Sequence, residues 1–177
     1  MRDAFELALA FTLEAEGGPS NYGSDQDLGG PTVYGIAAVY HPGIPWPPTL
    51  AAATEIYQRE YWLANKCDLL PAAWGIALFE HAVNPGAASA RRSMQMALGV
   101  TADGAIGPKT IAAAERGTSW QLGHFIGLRC NAWRSSPVVA VNFVGWASRA
   151  ARLAAYIERH APILGLTGPD DAVIIRT

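Results

Sequence analysis

The chain has 177 residues, half of them hydrophobic, with a net charge of −2 and only two cysteines. That length supports one good core or two small, closely packed lobes. The weak net charge argues against a nucleic-acid partner, and no run approaches the roughly 18 apolar residues of a membrane span.

Arg2, Asp3 and Glu6 break a signal-peptide pattern, so synthesis in the cytoplasm is expected, with another agent needed to bring the protein to any substrate beyond the membrane. Cys67 and Cys130 have no metal-like spacing and read as buried thiols. Charge is unevenly placed. Residues 1 to 60 hold eight acids against Arg2 and Arg59, whereas residues 116 to 160 hold six arginines against Glu158, so the two regions face different partners or each other.

Residues 3 to 15 read as an amphipathic helix ended by Gly17-Gly18. The helical period puts Phe5, Leu9, Leu13 and Glu16 on one apolar face and Glu14 about 180° from Phe5, so Glu16 is expected to point inward and Glu14 outward. A carboxyl at the end of an apolar stripe is partly desolvated, which favours the protonated form a general acid requires.

From Pro19 to Pro31 almost nothing is apolar, the mark of a long polar loop with room for a short hairpin. Apolar spacing resumes at Val33, Tyr34 and Ile36, followed by a short helix to about Tyr40. The segment His41 to Pro48 is stiffened by prolines, and Thr49 caps a helix over about 50 to 65. Helices follow over 72 to 83 and 87 to 98, the second stopped by Gly99. Pro108 starts another in its first turn, and two more span 119 to 134 and 138 to 160 before a loosely attached tail. The pattern predicts a mainly α protein with a polar loop or small β-hairpin near its start.

The four histidines lack close metal-ligand spacing, and neither GxSxG nor a phosphate loop occurs, so carboxylate chemistry remains, with no metal and no cofactor expected. Glycoside hydrolysis pairs a protonated carboxyl with a second carboxylate that attacks or activates water. Glu16 suits the first role, and Asp25 or Asp27 in the solvated loop suits the second. An aspartate before Gly29-Gly30 also serves simply to shape a turn.

The run Glu16-Gly17-Gly18, then Asp27-Leu28-Gly29-Gly30-Pro31-Thr32, then Tyr34-Gly35-Ile36 resembles the signature of the glycoside hydrolase family 108 lysozymes. Tyr61-Trp62, Leu70-Pro71 and Phe79-Glu80-His81-Ala82-Val83-Asn84-Pro85-Gly86 continue the likeness. Arg91 to Thr110 is similar to the predicted peptidoglycan-binding domain that follows, and Gly145-Trp146 with Arg149 to its closing block, so the likeness runs in order over about 5 to 150. It departs from the pattern at Pro19, Leu28, Ala37, Glu80 and Pro85.

What the resemblance implies is a lysozyme-like catalytic lobe over 1–86 with a smaller helical lobe over 87–177, together forming an N-acetylmuramidase of the phage endolysin kind that cuts the β-1,4 bond between N-acetylmuramic acid and N-acetylglucosamine in bacterial peptidoglycan. Glu16 would be the acid. The order Glu, Asp, Thr is also similar to the catalytic triplet of phage T4-type lysozymes, making Asp27 the base and Thr32 its water-positioning partner. Spacing from Gly29-Gly30 and Thr32 favours Asp27 over Asp25. Inversion would follow, with carboxyls about 6.5 to 9.5 Å apart. A holin would be the route to the wall, and a monomer without membrane insertion is expected. A lytic transglycosylase and a non-catalytic wall-binding or virion structural protein are the rival readings.

Trp46, expected to be the most exposed tryptophan, Asn84 at a helix end and Tyr34 are the candidate sugar contacts. Trp62, Trp74, Trp133 and Trp146 read as core residues. Arg149, Arg152, Tyr156 and Arg159 share a helix face, expected to be solvated or to pair with the acidic half, with contact to anionic wall material as the alternative.

Overall fold

A computed structural model describes residues 3–16, 32–84, 86–132 and 139–164. The side chains of 129–132, 139–143 and 146 lie outside that description. The protein is mainly α, with one small antiparallel hairpin.

Helix α1 (Ala4–Ala15) begins where the Asp3 carboxylate accepts the Glu6 N–H, and ends at Glu16, whose N–H still reaches Thr12 O at 2.8 Å. Its buried residues are Phe5, Leu7, Ala8, Phe11 and Thr12, while Leu9 and Leu13 are only partly covered. The expected Phe5–Leu9–Leu13 stripe is therefore displaced. At about 100° per residue the buried arc runs from Leu7 round to Phe5, and Glu16 stands at its border. The displacement arises because α1 packs against both α3 (Ala72–Val83) and α7 (Val139–Arg159), which together cover a wider arc than one helix would.

The hairpin pairs β1 (Thr32–Val33) with β2 (Ile36–Ala37) around Tyr34-Gly35, the small hairpin expected of this region, and the short helix expected to end near Tyr40 is a 3₁₀ turn at Ala38–Tyr40. Both turn residues have positive φ, 53° and 75°, the requirement of a two-residue turn matched to strand twist. Thr49 Oγ1 accepts the Ala52 N–H and starts α2 (Leu50–Ile56), which runs on as a π-helical stretch, Tyr57–Leu63.

Helix α3 is the centre of the molecule. Every residue from Ala73 to Ala82 is buried, as befits a helix apolar nearly all round. Phe79 meets Phe5, Tyr57 and Trp62 at centroid distances of 6.1, 5.9 and 5.8 Å. On another side Trp74 and His81 stack on Phe125 of α6 (Ser119–Ala132). Trp62 and Trp74 are core residues as expected, and Cys67 is a buried thiol whose pKa burial pushes up. Trp133 and the side chains of Cys130 and Trp146 lie outside the described residues.

The second lobe holds α4 (Ala87–Leu98), α5 (Pro108–Glu115) and α6, and α7 returns across α1. Gly99 ends α4 at φ 70°, and Pro108 occupies the first turn of α5. Buried residues of both lobes join in one continuous core. The acidic and basic regions do face each other. Arg149 and Arg152 of α7 pair with Glu16 and Glu14, and Tyr156 donates to Leu7 O at 3.1 Å.

Candidate active site

Glu16 ends α1 with its side chain 26% exposed, against 71% for Glu14, as the helical period required. Its setting differs from the isolated, desolvated carboxyl expected. Arg149 Nη1 donates to Glu16 Oε1 at 2.7 Å, so an ion pair and partial solvation surround the group. The two other faces of the same guanidinium go to Glu80 of α3, Nε to Oε1 at 2.5 Å and Nη2 to Oε2 at 3.1 Å. Thr12, one helical turn before Glu16, completes the group by donating Oγ1–H to Glu80 Oε2 at 2.8 Å.

Glu80 is buried, where an acidic side chain needs such a set of partners. A carboxylate out of water costs several kcal/mol unless matched by a well-placed counter-ion and hydrogen bonds, and Arg149 with Thr12 supplies both. Burial by itself would lower the pKa of Arg149, but the hydrogen bonds and charges of Glu80 and Glu16 outweigh it and push it up, so the cation persists. One arginine faces two carboxylates. Two of its nitrogens go to Glu80 and the third to Glu16, the solvent-reachable member.

The hairpin closes over Glu16. A Cβ built on Gly35 would stand 2.4 Å from the Tyr57 hydroxyl and 3.0 Å from Glu16 Cγ, so only glycine allows the turn to lie there. The Tyr57 hydroxyl donates to Tyr34 O at 3.0 Å and anchors the turn. Burial, then the nearby Glu16 charge, raise the Tyr57 pKa and keep the phenol a neutral donor; Tyr61 is raised by burial and by Glu60 and Glu16.

Glu16 and the hairpin that begins at Thr32 are thus brought together. Thr32 is half-buried in β1. Asp25 and Asp27 lie outside the described residues. Tyr34 is half-buried against the core, and its carbonyl is taken by Tyr57. Asn84 is exposed at the end of α3. Trp46 is 38% exposed in the proline segment, yet Trp120 at 69% is the more exposed tryptophan, contrary to expectation, because it stands on the outer side of the first turn of α6.

Sequence reading missed the joint role of Thr12, Tyr57, Glu80 and Arg149. One available signal was the i, i+4 spacing of Thr12 and Glu16. Among the described residues no group of three His, Cys, Asp or Glu side chains converges on a metal position, and no helix is long and apolar enough to cross a membrane.

A solvent-reachable carboxyl held at a helix end can supply one of the two carboxyl groups that glycoside hydrolysis uses. Residues 9–86 match the family described as Glycosyl hydrolase 108, and this segment is a lysozyme-like catalytic domain of that type. The protein is accordingly an enzyme, a hydrolase of glycosidic bonds. Among solved structures, that of Brucella abortus SagA is similar with a TM-score of 0.73 at 28% identity, covering 84% of this chain and 90% of that one, so the likeness extends well beyond the catalytic segment. No curated protein matches the chain.

Proposed function

We propose that the protein is an inverting N-acetylmuramidase that cuts the β-1,4 bond between N-acetylmuramic acid and N-acetylglucosamine in bacterial peptidoglycan. The observation that carries this reading is the placement of Glu16: a solvent-reachable carboxyl with one oxygen on Arg149, beneath the hairpin that begins at Thr32. In this mechanism Glu16 protonates the leaving glycosidic oxygen. Asp27, with Thr32 holding the water, activates attack on the opposite face of the sugar.

Tyr34, Trp46 and Asn84 are the proposed sugar contacts, and the lobe over 87–177 is proposed to hold the same polymer. The enzyme acts as a monomer, made in the cytoplasm and released to the wall by a holin, as expected of an endolysin.

Clearance of Gram-negative walls by the wild type and by Glu16→Gln tests the reading. Clearance is expected for the wild type and a loss on the order of 10²- to 10⁴-fold for the variant. If neither clears walls and the substitution changes nothing, the muramidase reading is wrong. Product mass separates hydrolysis from transglycosylation, since a 1,6-anhydro end would exclude the water-activating roles of Asp27 and Thr32. Comparing Asp27→Asn with Asp25→Asn assigns the base.

A further inference from the structure

We propose that Glu80 is a positioning residue for catalysis, fixing the Arg149 fork so that its remaining nitrogen aims at Glu16. The inference rests on reading Glu16 as the acid. Glu80 has no access to substrate, since its side chain is 1% exposed and lies behind Arg149 as viewed from Glu16. Its two oxygens take the Nε–Nη2 edge of the guanidinium, and this edge-on pairing leaves one direction for Nη1, toward Glu16 Oε1 at 2.7 Å. Thr12 fixes the Glu80 oxygen that accepts Nη2, and because Thr12 and Glu16 share a face of α1, the acid and its orienting group are set by one rigid element.

Glu80 also divides the arginine's charge. With Glu80 present, Arg149 is largely matched before it reaches Glu16, so the acid has an orienting hydrogen bond without a whole cation to itself. Among the described residues, the other titratable groups coupled to Glu16 are Tyr57 and Tyr61 from the π-helical stretch, both neutral. None of these replaces Glu80.

The geometry also assigns part of the catalytic equipment to the far end of the chain. Thr12, Glu16 and Glu80 lie within the matched segment 9–86, but Arg149 comes from α7, 133 residues after Glu16. The acid is therefore oriented only when α7 is docked.

The test compares full-length wild type, Glu80→Gln and Glu80→Asp, each with a thermal melt to establish folding. Two readouts are used: turnover of soluble peptidoglycan fragments and the carboxyl ¹³C titration of Glu16. For Glu80→Gln, kcat is expected to fall on the order of 10- to 100-fold with KM within about twofold, as for a misplaced catalytic group. The alkaline limb of kcat and the Glu16 titration should both move to lower pH by about one unit, because the whole cation now acts on Glu16. Glu80→Asp keeps the charge but draws the fork back, and should restore the titration more fully than kcat.

A folded Glu80→Gln enzyme with wild-type kcat, alkaline limb and Glu16 titration overturns the proposal. If Glu80→Gln does not fold, wild-type kcat in Glu80→Asp overturns it instead. The titration needs no substrate, so a wild type that leaves peptidoglycan intact sinks the muramidase reading while the coupling of Glu80 to Glu16 is still measured.

Discussion

Two buried polar networks hold this molecule together, and they are finished differently. In the second lobe, Gln95 of α4 donates from Nε2 to Asp103 Oδ1 at 2.7 Å and Ala105 O at 3.0 Å, and its Oε1 accepts the Gly104 N–H at 2.7 Å. Arg91 adds bonds to Gly104 O and to Asn65 Oδ1, both at 2.6 Å, and Lys66 reaches Ile106 O at 3.0 Å. These donors and acceptors close on one another around the segment between α4 and α5, and tie it to the catalytic segment through Asn65 and Lys66.

The network of Thr12, Glu80, Arg149 and Glu16 is equally well paired inside but ends in a carboxyl with solvent access. A network built for stability uses its valences internally. One that keeps an ionisable end open to solvent has a group left over for chemistry.

The largest effect expected on this comparison is from Arg149→Ala. It leaves the Glu80 carboxylate buried without its counter-ion, which should cost about 3–5 kcal/mol of stability. A urea unfolding curve measures it, and a change below 1 kcal/mol would mean that Glu80 finds another partner or takes up a proton. Next comes Gln95→Leu. It removes the partner of the Gly104 N–H and two bonds to the following loop, for an expected loss of about 1–3 kcal/mol. Here activity per folded molecule should be unchanged, since the network carries no reacting group. A fall in kcat without loss of fold would show that the second lobe shapes the site. Arg152→Ala should cost under about 1 kcal/mol in the same assay, because its 3.0 Å pair with Glu14 is solvent-exposed on both sides.

Much of this difference was legible in the sequence, and the remainder has an identifiable cause. Periodicity and caps located α3, α4, α5 and the Thr49 and Gly99 boundaries because those signals are local. Glu16 was separated from Glu14 by helix geometry alone, and the separation holds in their exposures. The face of α1 was not legible, since a second helix from the end of the chain covers part of it. Glu80 and Arg149, 69 residues apart, showed no local sign of pairing, and an acid inside a helix buried as fully as α3 has meaning only once its partner is placed. A small hairpin was legible but its exact place was not, because its turn depends on positive φ at Tyr34, a residue that gives little warning of it.

The smallest expected effect concerns Asp103, on the closed network. Its side chain is exposed, but the Ala105 N–H at 2.8 Å and then the Gln95 amide hold its carboxyl below the ordinary value of 3.8, with a further contribution from Arg92. A depressed carboxylate pKa gives stability that is fully present above the unfolded value and is lost as pH falls through the folded one. The melting temperature of the wild type should therefore carry an Asp103 contribution that disappears only below about pH 4. Asp103→Asn removes the titrating group, so the difference between the two melting temperatures should narrow as pH is lowered through that range and stay constant above it. A difference that widens on acidification would mean that the carboxylate is held less favourably in the folded protein than in the unfolded chain. The hydrogen bonds to Ala105 and Gln95 would then be compensating strain in the turn, not adding stability to it.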